Sequence, residues 1–149
     1  MTEQRRPGRA SVPFGPTAET VAGNLRRIRE LRGLSTYELS VRLTERQRPI
    51  SPSALAKIER GERRVDVDDL AALAVAIGVN PSALLLPPSD DENLAVAVTG
   101  AGRVTARAAW DWVDGLRPLV PLEGREETSQ LDYELFARPE GRRRMYKGR

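Results

Sequence analysis

The chain has 149 residues, 24 of them basic and 21 acidic, with no histidine and no cysteine. That composition excludes disulfides, thiolate chemistry and the usual zinc ligands, and it removes the commonest general base together with every Ser-His or Cys-His nucleophile pair. The net charge of +3 hides three unlike blocks: residues 1–64 hold 14 basic and 7 acidic side chains, residues 65–137 hold 4 and 13, and residues 138–149 hold 6 and 1.

The length suits one domain plus a smaller appended region. No apolar stretch approaches the roughly 20 residues that span a bilayer. The first residues, MTEQRRPGRASVPFGP, are basic but lack the apolar run of a signal peptide. Cytoplasmic residence and no membrane partner are the expectation.

In chain order, residues 1–17 hold three prolines and two glycines and read as a flexible basic arm. Its Arg5, Arg6 and Arg9 suit a phosphate backbone, a minor groove, or merely solvent. From Glu19 to Arg32, the apolar residues Val21, Leu25, Ile28 and Leu31 recur at helical spacing, and Gly33 is the stop. Ser35 to Leu43 predicts a second helix. Ser35 is its N-cap, Glu38 completes a capping box, and Ser40 is small enough for a close helix crossing.

The segment SPSALAKIERG, residues 51–61, predicts a third helix with sharp ends. Ser51 caps it, Pro52 sits where no hydrogen bond is needed, and Gly61 supplies a left-handed stop. Leu55 and Ile58 form an inner stripe, leaving Ser53, Ala54, Lys57 and Arg60 outward. Short polar side chains near the start and basic ones further on suit a DNA major groove. Val67 to Ile77, stopped by Gly78, predicts a fourth helix. Pro81 to Leu86, capped by Asn80 and ended by Pro87-Pro88, predicts a fifth.

Residues 88–93 read as an acidic linker; Asp90, Asp91 and Glu92 suit solvent far better than a metal or general-acid site. Beyond Leu94 the periodicity is mixed. LAVAVTG suits a short strand, and Gly100-Ala101-Gly102 a turn that lacks the Lys-Ser/Thr of a phosphate loop. Thr105 to Val113 suits a helix with Ala106, Ala109, Trp110 and Val113 on one face and Trp112 on another. Two tryptophans so close together predict a surface completed by a partner or by the helical domain. Residues 94–137 thus form a small C-terminal region. The tail from 138 to 149, with GRRRMYKGR, is expected to be disordered when free, and it suits either nonspecific nucleic-acid affinity or solubility alone.

The stretches LRRIRELRGLSTYELSVRL, ISPSALAKIERGERR and LAALAVAIGVNPSALL resemble the lambda-repressor-like helix-turn-helix family, which includes the Cro and xenobiotic-response-element-type regulators. The resemblance covers residues 21–86. It implies a mainly α fold: a five-helix DNA-binding domain over residues 18–87, here with a small C-terminal α/β extension.

By that resemblance the helix from Ser51 is the recognition helix. Ser51, Ser53 and Lys57 would face base edges, Pro52 would touch a thymine methyl, and Arg60 and Arg63 would lie nearer the phosphates. Ser35 and Thr36 would bind phosphate at the second helix's N-terminus. Arg29 and Glu59 would form a structural ion pair. Double-stranded DNA is the implied partner, bound by a homodimer; no cofactor, metal or catalysis is expected.

Two departures stand out. Six residues, TERQRP, fill a turn where the family has a single Gly, so the second helix either extends through Arg46 or the turn is long. Pro52 replaces a long polar side chain. The resulting expectation is a repressor-type transcriptional regulator of bacterial or phage kind. An antitoxin or protein-interaction adaptor, and more remotely a carboxylate-based hydrolase, are the other classes weighed.

Overall fold

The computed structural model describes residues 12–144. Arg5, Arg6 and Arg9 of the basic arm, and residues 145–149 of the tail, lie outside the described residues. Helices α1 (Pro16–Leu31), α2 (Thr36–Glu45), α3 (Pro52–Glu59), α4 (Val67–Ile77) and α5 (Pro81–Leu85) come first. The hairpin β1 (Ala95–Val98) and β2 (Gly102–Thr105) follows, then α6 (Ala106–Val113), α7 (Ser129–Ala137) and a single 3-10 turn, Glu140–Arg142.

Local chemistry fixes the helix ends. Ser35 Oγ accepts from Glu38 N while Glu38 Oε2 accepts from Ser35 N, a complete capping box. Asp66 and Asp69 form another at α4. Both boxes hold a carboxyl below its ordinary range: backbone N–H donation lowers Glu38 at Ser35 and Asp66 at Asp69. At the C-terminus of α1, Gly33 N donates to Glu30 O and Leu34 N to Arg29 O. The same two-bond stop recurs after α3, with Gly61 N on Ile58 O and Glu62 N on Lys57 O.

The core is the junction of the first five helices. Leu25, Leu39, Leu43, Leu55, Ile58, Leu73, Ile77 and Leu84 are all buried within it. Burying each such side chain stabilises the fold by about 1.5–3 kcal/mol relative to leaving it in water. Ser40 is buried between α2 and the chain entering α3, and its Oγ donates to Ile50 O at 2.7 Å.

The C-terminal region docks on this domain through α1 and α5. Leu86, Val98 and Ala109 form a second buried cluster. Asn24, buried in α1, donates to Leu84 O and Leu86 O at 3.0 and 2.7 Å. Thr17 and Thr99 bond reciprocally, each hydroxyl accepting from the other's backbone N–H. Trp110 Nε1 donates to Pro87 O at 3.0 Å, so the helical domain completes this part of the tryptophan surface.

Several boundaries differ from expectation. Helix α1 starts at Pro16, inside the segment read as a flexible arm, because Gly15-Pro16 is itself a helix start with Pro in the first turn. Phe14 lies under the Arg64 guanidinium, 4.4 Å from ring centroid to Cζ. Asn80 makes no side-chain cap; α5 is a short helix opened by Pro81. Helix α7 had no sequence signal. Within the tail, residues 140–142 form a helical turn, and Arg143 donates to Arg138 O and Leu135 O rather than extending into solvent. The acidic stretch is a turn tied to α6: Asp91 accepts from Asn93 N, and Glu92 pairs with Arg107 at 2.6 Å.

Candidate nucleic-acid interface

Helix α3 has two unlike sides. Leu55 and Ile58 point into the core, while Ser51, Ser53, Lys57 and Arg60 are exposed and Pro52 is half-buried. Ser51 Oγ accepts from Ala54 N at 3.1 Å and lies 3.1 Å from Ser53 Oγ, so its hydroxyl is largely engaged in capping. Ser53 shares an exposed hydroxyl bond with Ser51, so Lys57, four residues on along the same face, is the polar side chain there with no hydrogen-bond partner among the described residues.

The back of α3 is locked. Arg29 Nε donates to Glu59 Oε1 at 2.6 Å and its Nη2 to Oε2 at 3.0 Å, with 12% and 8% of the two side chains exposed. The third guanidinium nitrogen donates to Leu34 O at 2.7 Å. One arginine thus joins α1, the turn into α2 and the end of α3. The Glu59 hydrogen bond raises the Arg29 pKa above its ordinary value, against the opposing effect of burial. A bidentate pair of this kind fixes an angle as well as a distance.

The lengthened turn is ordered by its own contacts. Helix α2 ends at Glu45, with Arg46 as its cap, and the stop is the same two-bond motif: Gln47 N donates to Thr44 O and Arg48 N to Leu43 O. Gln47 takes the left-handed conformation, φ +61°, that glycine fills elsewhere. Arg48 then reaches across to the start of α4, donating to Asp69 Oδ1 at 3.0 Å and to Asp66 Oδ2 at 2.9 Å. The six residues of the lengthened turn thus form one more helical turn and an arginine brace.

Arg60 and Arg63 are less free than the sequence suggests. Arg60 binds Glu62 through two bonds of 3.0 Å, a pairing that lowers the Glu62 carboxyl pKa. Arg63 Nη1 lies 3.4 Å from Asp69 Oδ2, so buried Asp69 gathers Arg48 and Arg63 while capping α4. At α2, Glu38 already satisfies the Ser35 N–H; the first-turn N–H groups of Thr36 and Tyr37 have no partner among the described residues. Tyr37 is 68% exposed there, and the sequence reading missed it. Its position directly after Ser35-Thr36 was the available signal. Among the described residues no acidic cluster suits a metal, and no helix is long and apolar enough to cross a membrane.

Residues 25–84 match the helix-turn-helix family model. A solved structure similar to this chain is the crystal structure of the DNA-binding domain of BldD. It is 32% identical over 48% of this chain and 97% of that chain, with a TM-score of 0.41. No curated protein matches. The pattern of short helices in α1 to α5, together with the family match over residues 25–84, means that the chain belongs to the lambda-repressor-like helix-turn-helix family.

Proposed function

We propose that the chain is a sequence-specific, DNA-binding transcriptional regulator of repressor type, bacterial or phage in origin and cytoplasmic, which lays α3 in the major groove of double-stranded DNA. The observation that carries this reading is the face of α3. Its outward Ser53 and Lys57 stand on a helix whose opposite side is held by buried Leu55 and Ile58 and by the Arg29–Glu59 pair. A reading helix must keep its geometry while its polar groups stay available: α3 is held from behind, Lys57 has no hydrogen-bond partner among the described residues, and Ser53 is engaged only by an exposed bond to Ser51.

Lys57 donates to guanine O6 or N7 in this reading, and Ser53 accepts from or donates to a neighbouring base. Ser51 contributes mainly by capping, and Pro52 touches a thymine methyl. Thr36 and Tyr37 N–H groups, with Ser35 beside them, contact a phosphate at the α2 N-terminus. Arg60 reaches phosphate by exchanging its exposed Glu62 partner; Arg63 acts chiefly through Asp69. A homodimer places two α3 helices on half-sites about 34–36 Å apart.

The test selects bound genomic fragments and then titrates the recovered site against random DNA. Lys57→Ala is expected to cost about 1–3 kcal/mol at the selected site and to flatten the preference at one base pair. An equal loss on random DNA makes Lys57 a phosphate contact and removes it from the reading set.

A further inference from the structure

A cavity of about 410 Å³ lies between the start of α1, the end of α3 and the loop into α4. Small-molecule pockets run from roughly 300 to 1,000 Å³, so a small ligand fits. The apolar lining is Val21 and Ile58, both buried, with Leu70 and the ring of Phe14. Arg60, Arg63 and Arg64 line the cavity as well, against the carboxylates of Glu19 and Asp66.

These charges are not equally committed. Asp66 caps α4 and accepts from Arg48, Arg63 pairs with Asp69, and Arg60 pairs with exposed Glu62. Arg64 has no carboxylate partner among the described residues; its guanidinium rests on the Phe14 ring, 4.4 Å from centroid to Cζ. Stacking occupies the face of a guanidinium and leaves its in-plane N–H donors available for a two-bond contact with an anion.

We propose that this cavity binds a small organic anion, an aromatic or branched carboxylate, with its apolar body against Val21, Ile58 and Leu70 and its charged head on Arg64. Two other occupants fit less well. A DNA backbone would bring phosphate but no apolar body to cover the lining. The chain's own residues 1–11 carry Arg5, Arg6 and Arg9 against Glu3, the same sign as the arginines of the cavity.

The site also touches the reading helix. Ile58 is the last inward residue of α3, and Arg60 and Gly61 form its stop. Resting on the DNA reading above, the anion acts as an effector. A carboxylate beside Arg60 offers that guanidinium a counter-charge within the protein in place of a DNA phosphate. Ligand and DNA therefore oppose each other, and by linkage each weakens the other by the same factor.

The test titrates the full chain with anilinonaphthalenesulfonate, an aromatic anion whose fluorescence reports burial, and with its uncharged parent, phenylnaphthylamine. The sulfonate is expected to bind more tightly than the parent. Arg64→Gln, at an exposed position, should weaken the sulfonate about tenfold and leave the parent nearly unchanged, with unaltered circular dichroism. Phe136→Asp, which changes a separate cleft in the C-terminal region, should leave sulfonate affinity as it is. A wild type that ignores the sulfonate overturns the proposal; that is the result if residues 1–11 fill the cavity or if Arg64 serves DNA phosphate alone. Sulfonate affinity unchanged by Arg64→Gln, or abolished by Phe136→Asp, overturns it equally. On a selected DNA site, saturating sulfonate should lower the affinity of wild type about fivefold and that of Arg64→Gln hardly at all. Sulfonate bound at Arg64 with DNA affinity unchanged overturns the effector role. A chain that binds the sulfonate through Arg64 but prefers no DNA sequence sinks the DNA reading and leaves the anion site standing.

Discussion

Residues 16–86 and residues 94–144 bury their apolar side chains to very different degrees. In the first region eight large side chains, from Leu25 to Leu84, sit fully inside one cluster, and α2, α3 and α4 each begin with a side-chain cap. In the second the buried cluster is Leu86, Val98 and Ala109, one member of which is borrowed from the end of α5. Helix α7 has no side-chain cap and leaves Phe136 and Leu131 exposed. The helical domain specifies itself, whereas the C-terminal region takes its stability from docking. That contrast says where substitutions will act globally and where they will act locally.

The largest effect should come from the Arg29–Glu59 pair, which holds the first region together. Arg29→Met strands a mostly buried carboxylate, at a cost of about 3–5 kcal/mol. Arg29→Met combined with Glu59→Leu removes both charges and should recover much of the loss in thermal melting. An exposed pair would lose at most about 1 kcal/mol on either single change. Near-neutral single variants would therefore contradict the buried assignment, and a double variant as unstable as the single would contradict the charge argument.

The next effect is confined to the seam. Trp110→Phe keeps most of the apolar ring but removes the donor to Pro87 O, at a cost of about 0.5–1.5 kcal/mol. Hydrogen exchange should accelerate across β1, β2 and α6 while α1 to α4 keep their protection. Equal acceleration in both regions would mean that they unfold as one unit, and the contrast would dissolve.

The sequence carried far more of the first region than of the second. Helix caps at Ser35 and Ser51, and stops at Gly33, Gly61 and Gly78, are local signals that need no partner; the Asp66 cap is equally local but went unread. The Leu55 and Ile58 stripe follows from helical spacing. The Arg29–Glu59 contact was reachable only through family resemblance, because 30 residues separate the two side chains. Arg48 and its carboxylates escaped notice for a related reason: a charge in an inserted turn looks solvated until α4 is placed beside it. Helix α7 was illegible because its apolar residues do not line one inward stripe: Glu134 is buried while Phe136 is exposed. On the reading face, residue types were legible but their engagement was not, since the Arg60–Glu62 and Arg63–Asp69 pairs appear only in three dimensions.

Acid gives a graded effect on the first region. Glu38, Glu62 and Asp66 all have carboxyl pKa values lowered in the folded chain, by backbone N–H donors at Glu38 and Asp66 and by Arg60 at Glu62. A carboxyl lowered by folding stabilises the fold above its unfolded pKa, about 4 for these groups, and that contribution fades as pH falls through the folded value. The melting temperature should therefore decline from about pH 4 downward. Glu38→Gln should flatten part of that decline, and a slope identical to wild type would remove Glu38 from the acid response.

The smallest change tests the lengthened turn. Gln47 holds φ +61° in the position that Gly33 and Gly61 occupy, at +67° and +72°, with the same pair of closing hydrogen bonds. A side chain in the left-handed region costs roughly 1–2 kcal/mol, because its Cβ crowds the following carbonyl oxygen. Glycine avoids that cost but loses about 0.5–1 kcal/mol through the larger entropy of its unfolded chain. The difference favours Gln47→Gly by about 0.5–1 kcal/mol, read as a higher urea midpoint at unchanged slope. Gly61→Ala supplies the converse. No atom lies within 4 Å of the added Cβ there, so its loss, about 1 kcal/mol, reports the backbone alone. If Gln47→Gly gains nothing while Gly61→Ala costs the expected amount, the Gln47 side chain is making a compensating contact in the turn. The lengthened turn would then be adapted to this residue rather than merely tolerating it.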